Sequence, residues 1–217
     1  MKWEKKLTLL DCIAADLHII HNQGFIHRDL HSGNILLNSL HSAYIADLGL
    51  STLANTGSND KVQGVLPYMA PEVLSNNDYS MESDIYSFGI IAYEIVSGQL
   101  AYYNVPHDIQ LAREIMFGLR PRIPENVPKL INEFINKCWS AQLDKRPTAE
   151  EIRNTIHSWN LFLNDKSTEL FAQIKSADEI QETLLISDVS TPFPFIIDYA
   201  SRQFDFLPLR NDTNNNG

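Results

Sequence analysis

Leu9, Leu10, Ile13, Leu17 and Ile20 recur at three- and four-residue spacing, which predicts an amphipathic helix over residues 5–22, stopped by Gly24. Two short apolar pieces, Phe25 with Ile26 and then Ile35, Leu36 and Leu37, flank a polar loop at 28–34. A third, Tyr44 to Ala46, precedes Asp47, so short strands bracket a polar, glycine-containing loop. Residues 50–64 are rich in Ser, Thr, Asn and Gly without periodicity and are predicted to form a long mobile loop of the functional kind. Residues 84–97 are apolar on nearly every side, the pattern of a buried central helix. Three further helices follow: 108–117 ended by Gly118, 128–139 opened by Pro128, and 149–161 capped by Thr148 with Glu151 in the capping-box position. Beyond residue 163 the pattern weakens to one helix at 176–185, a Pro-aromatic stretch from Pro192 to Phe195 and an Asn-rich end. These features predict a mainly α lobe at 1–163 and a tail at 164–217, partly helical and then disordered. No fixed-period repeat is present.

Composition narrows the function classes. The 217 residues carry 17 basic and 27 acidic side chains, a net charge of −10, which argues against a broad nucleic-acid-binding face. The tail, with 9 acids and 4 bases, is acidic on its own account. Cys12 and Cys138 stand far apart in apolar helical patterns, which excludes a disulfide framework and a four-thiolate zinc site. The longest apolar stretch, 88–96, is interrupted by Glu94 and is far short of the roughly 20 residues that span a bilayer. Met1, Lys2, Trp3 and Glu4 lead into a polar-spotted helix, unlike a signal peptide. The expectation is a soluble cytoplasmic protein with neither a nucleic-acid nor a membrane partner.

The candidate chemistry lies in the loop His27, Arg28, Asp29, Leu30, His31, Ser32, Gly33, Asn34, followed 13 residues later by Asp47, Leu48 and Gly49. One carboxylate to receive a proton and two hard oxygen donors for magnesium are what phosphoryl transfer asks of a protein. The pattern resembles the catalytic loop and metal-binding turn of protein kinases. The resemblance continues through Ala70, Pro71 and Glu72, the run from Asp84 to Gly89, and Lys145 to Thr148, covering roughly residues 5–162. It implies the helical C-terminal lobe of the kinase-like fold, with short β-hairpins around the catalytic loop and the N-lobe sheet absent. The run from Gly118 to Glu125 and the pair Cys138 and Trp139 are nearest the tyrosine-kinase-like group.

By this resemblance Asp29 is the catalytic base, Asn34 and Asp47 are magnesium ligands that also contact ATP, and Leu36 is the floor beneath adenine. Arg28 is the partner of a phosphorylated activation-segment hydroxyl, with Thr56 or Ser58 as the acceptor. Glu72 and Arg146 form an ion pair, Asp84 holds the catalytic-loop backbone, and His27 and Leu48 belong to the regulatory stack. The implied cofactors are ATP and Mg2+; the implied partners are a protein substrate and an upstream kinase or regulator. His18, His21, His27 and His31 offer a rival zinc reading, weakened because two of them lie in the catalytic loop.

Three positions depart from the family pattern. His31 stands two residues after Asp29 where Ser/Thr kinases carry Lys, Val65 replaces the Thr that partners it, and Leu48 replaces Phe. Imidazole is a weaker cation than an ammonium at neutral pH, so His31 is expected to be a partial substitute near the phosphoryl group. The Gly-rich loop, the strand Lys and its partner Glu do not occur in the sequence, so the isolated chain is expected to be a truncated, inactive kinase domain. A catalytically dead kinase-like scaffold is the alternative; retention of Asp29, Asn34 and Asp47 favours the kinase.

Overall fold

The computed structural model describes residues 1–39, 42–54, 62–163, 165–184, 199 and 201–204. Along the chain run α1 (Trp3–Asn22), β1 (Phe25–Ile26), β2 (Ile35–Ser39), β3 (Ser42–Ile45), β4 (Thr52–Leu53), β5 (Val62–Gly64), α2 (Pro71–Asn76) and α3 (Met81–Ser97). They continue with α4 (Ile109–Met116), α5 (Lys129–Cys138), α6 (Ala149–Leu161), α7 (Glu169–Leu184) and β6 (Arg202–Phe204). Three antiparallel pairs, β1 with β4, β2 with β3 and β5 with β6, lie against a helical body. This is the helical C-lobe architecture with short strand pairs that the motifs predict.

The centre is α3, whose Ile85, Phe88, Ile90, Ile91 and Ala92 are all buried. Ser80 caps it in a reciprocal capping box with Ser83, so the helix starts at Met81, ahead of the predicted start. Asp84 is therefore not the cap, and its carboxylate is available for another task. An edge-on aromatic series, Phe88 against Phe134 and Phe134 against Trp159, ties α3 to α5 and α6. Helix α1 buries Leu7, Leu10, Ile13 and Leu17 and packs against α6. Its Lys6 is buried and donates from Nζ to the Val96 carbonyl at 2.7 Å, satisfying an orphan carbonyl near the end of α3. Burial lowers the pKa of that ammonium, and Asp178 of α7 opposes the shift.

Two regions differ from the sequence pattern. The segment 50–64, predicted as loop throughout, contributes β4 and β5, because its strand partners come from Phe25–Ile26 and from Arg202–Phe204 at long range. The tail helix begins at Glu169 instead of 176. Leu170, Ile174 and Ala177 are buried, and Gln173 Oε1 accepts the Leu130 amide at 3.1 Å, capping α5 where Pro128 cannot. Among the described residues no helix is long and apolar enough to cross a membrane.

Candidate active site

The buried Asp84 organises the loop after α1. Its Oδ2 accepts the His27 amide at 2.7 Å, its Oδ1 accepts the Arg28 amide at 3.0 Å, and His21 Nε2 lies 2.9 Å from Oδ2. Arg28 takes a left-handed backbone, φ 71°, which costs a non-glycine residue about 1–2 kcal/mol and is offset by these charge-assisted bonds. The result turns the next residue, Asp29, to the front of the lobe. His27 supports the turn from beneath: its Nδ1 accepts the Asp29 amide at 3.3 Å and its Nε2 reaches the Ala46 carbonyl at 3.1 Å, which fixes the tautomer with the proton on Nε2. His27 is fully buried.

Asn34 donates its side-chain amide to the Asp29 carbonyl at 2.8 Å, which leaves its Oδ1 as the atom for a ligand. Its own carbonyl accepts the Ala46 amide at 2.9 Å and so brings Asp47 alongside. Asp47 also has a left-handed backbone, φ 60°, and is exposed; its Oδ1 accepts the Gly49 amide at 3.2 Å. A neutral amide oxygen and an ionised carboxylate held on adjoining segments are the donor set of a hard divalent cation, so these residues fit magnesium. Leu36 on β2 and Leu48 are 56% and 55% exposed, apolar surface beside those donors.

The departures have a local geometry. His31 Nδ1 accepts the Gly33 amide at 3.1 Å, and its Nε2 lies 3.7 Å from Asp29 Oδ2. A Cβ on Gly33 would come within 2.8 Å of the His31 ring, so glycine at this position is what lets the imidazole sit there. Val65 is buried, so the loss of the Thr leaves no polar group stranded at its position. Arg28 places its guanidinium 4.5 Å over the Tyr79 ring, and Tyr79 brackets Gln63 of β5, donating to its carbonyl at 2.7 Å and accepting its amide at 3.1 Å. Thr56 and Ser58 lie outside the described residues. Glu72 and Arg146 form a two-bond pair at 2.6 and 2.9 Å, and Arg146 also donates to the Glu82 and Ser140 carbonyls. Among the described residues no three or more His, Cys, Asp or Glu side chains come together as a metal site, against the zinc reading; His21, His27 and His31 are engaged as described.

Sequence reasoning missed a buried polar network below the loop. Ser32 Oγ lies 2.7 Å from the Tyr68 hydroxyl, which donates to both oxygens of Glu94 at 2.8 and 2.9 Å, and Glu94 Oε1 accepts the Ala101 amide at 2.9 Å. Burial pushes the Glu94 carboxyl above its ordinary range and the Tyr68 hydroxyl upward as well. A lone acid in an apolar helix was the available signal, because such a group persists only with partners. Also missed were Tyr199, Ser201 and Arg202, which reach this face from the tail.

Comparisons with known proteins agree with this geometry. The family described as protein tyrosine and serine/threonine kinase matches residues 1–156. The chain belongs to the protein kinase superfamily. Among relatives of this kinase chain, two probable serine/threonine-protein kinases of Dictyostelium discoideum are 33% and 36% identical over 66% and 72% of it. Stress-activated protein kinase alpha of the same organism is 31% identical over 73%. The chain spans 11%, 17% and 29% of the lengths of these three relatives. Kinases of this superfamily generally use ATP and Mg2+ and act on proteins.

Proposed function

We propose that these residues form the C-lobe half of an ATP-dependent site that transfers phosphate to a protein Ser or Thr hydroxyl. The observation that supports this most is the Asp29 carboxylate held at the front of the lobe, with Asn34 Oδ1 and the Asp47 carboxylate beside it. When bound, Mg-ATP supplies the transferable phosphoryl group and neutralises its charge. Asp29 receives the proton of the protein hydroxyl, Asn34 and Asp47 hold the cation, and Leu36 lies under the base. His31, 3.7 Å from Asp29, acts as a positioning partner of that carboxylate. Arg28 is the cation for a phosphate on Thr56 or Ser58, added by an upstream kinase. Preference for Ser/Thr and the tyrosine-kinase-like placement are supported by the names of the relatives and by the run from Gly118 to Glu125.

No two of the nine glycines are one residue apart, so the sequence contains no Gly-x-Gly phosphate loop. The test therefore uses a chimaera in which residues 1–184, without the segment from Tyr199 to Phe204, replace the equivalent lobe of stress-activated protein kinase alpha. Magnesium-dependent transfer from labelled ATP to a protein is expected, with Asp29→Asn reducing the rate by a factor on the order of 10²–10⁴. A second reading, a kinase-like scaffold, is favoured by one observation: His31 and Val65 stand where the family's Lys and Thr would be. A folded chimaera that transfers nothing would decide for the scaffold.

A further inference from the structure

The front of Asp29 is not open. Strand β6 (Arg202–Phe204) runs antiparallel to β5, pairing Val62 with Phe204, Gln63 with Gln203 and Gly64 with Arg202. Just before it, Ser201 Oγ donates to Asp29 Oδ1 at 3.4 Å, on the carboxylate oxygen opposite the one that faces His31. Three residues anchor the flanks. Tyr199 donates from its hydroxyl to the Ala101 carbonyl at 2.9 Å and meets His107 edge-on at 4.7 Å between ring centres. Arg202 donates to the His107 carbonyl, and Phe204 packs against the core. Ala101 is the residue whose amide holds Glu94, so the tail contact continues into the buried network below the catalytic loop.

We infer that β5, Asp29 and the Ala101 to His107 segment form a docking edge for an extended peptide, and that the tail at Tyr199 and Ser201–Phe204 is its occupant in cis. Ser201 holds the place of the acceptor hydroxyl. Calling that place an acceptor position rests on the proposed function; the docking itself does not. Main-chain pairing to β5 supplies the affinity and is indifferent to side chains, while Tyr199 and Phe204 fix the register. The site is thereby closed to another protein segment until the tail leaves, which makes the tail an internal competitor with any protein substrate.

The register gives a direct test on the full chain. Residues opposite one another on antiparallel strands bring their Cβ atoms to about 4.5–5.5 Å, within reach of a disulfide, whereas a one-residue shift points the two side chains to opposite faces. Under mild oxidation Gln63→Cys with Gln203→Cys is expected to give an intramolecular disulfide, found by peptide mass mapping, while Gln63→Cys with Arg202→Cys stays reduced. Amide exchange at Val62 and Gly64, which flank the Tyr79-bonded Gln63 and so face β6, is expected to be slow in the unmodified chain and to lose that protection in a Tyr199→Ala, Phe204→Ala double variant. A fluorescent peptide with the sequence of residues 198–205 should then bind the double variant and not the unmodified chain.

Equal closure of both cysteine pairs, closure of neither, or disulfide-linked dimers would overturn the in-cis assignment. So would unprotected amides at Val62 and Gly64 in the unmodified chain. None of these measurements requires phosphoryl transfer. Their failure leaves the proposed function intact, and a chimaera without activity leaves the docking result intact.

Discussion

Glu94 shows how one residue couples stability to pH. It is a carboxyl in the apolar body of α3, held by Tyr68 and the Ala101 amide, and burial raises its pKa above the ordinary 4.5. Between that ordinary value and the raised one, the folded chain binds more protons here than the unfolded chain does. The contribution of this group is thus fully present below about pH 4.5 and is lost as pH rises through the folded value. Glu94→Gln keeps an oxygen to accept from Tyr68 and does not titrate. The melting temperature of the unmodified chain, taken relative to that of Glu94→Gln, is expected to fall as pH is raised from about 4.5 to about 8. A difference independent of pH would contradict this account. The same network explains why the residue was visible in the sequence only as an interruption: periodicity marks Glu94 as out of place but names none of its partners.

At the scale of elements, α3 meets α5 through a glycine. A Cβ at Gly89 would lie 3.0 Å from Cys138 Cβ and 3.3 Å from the Trp139 amide nitrogen, both at or next to backbone and unable to move aside cheaply. Alanine in a helix interior gains about 1 kcal/mol over glycine, while overpacking costs about 1–3 kcal/mol, so Gly89→Ala is expected to destabilise by up to about 2 kcal/mol. Urea unfolding measures it, and a stabilised variant would show that the two helices can separate without loss. Elements of this kind were legible where the signal is local. The capping box of Thr148 and Glu151 placed the start of α6 correctly, and the helix read over 108–117 lies within one residue of α4 at each end. The catalytic-loop motif likewise indicated which side chains would share one front. What the pattern could not show were strands whose partners are remote. Thr52 and Leu53 pair with Phe25 and Ile26, and β5 pairs with a tail about 140 residues away, so nothing in either local window announces a strand.

For the whole molecule the question is whether the residues after 163 are an appendage or part of the lobe. The family match ends at residue 156, yet α7 buries Leu170, Ile174 and Ala177, caps α5 through Gln173 and sets Asp178 near the buried Lys6. A helix that completes the hydrogen bonds of one element and sets an acidic side chain within electrostatic reach of a buried ammonium in another has its folding coupled to both. Ile174→Ala removes a side chain that is 7% exposed, and a buried Ile→Ala change costs about 2–5 kcal/mol. If α7 is integral to the lobe, that cost appears in the single unfolding transition followed by Trp fluorescence, since Trp3, Trp139 and Trp159 lie on α1, at the end of α5 and on α6. If α7 is an appendage, the fluorescence transition stays in place while far-ultraviolet circular dichroism loses one helix at lower denaturant. Coincident transitions shifted together are the expected result, because the Gln173 bond to Leu130 makes the first turn of α5 depend on α7 being present.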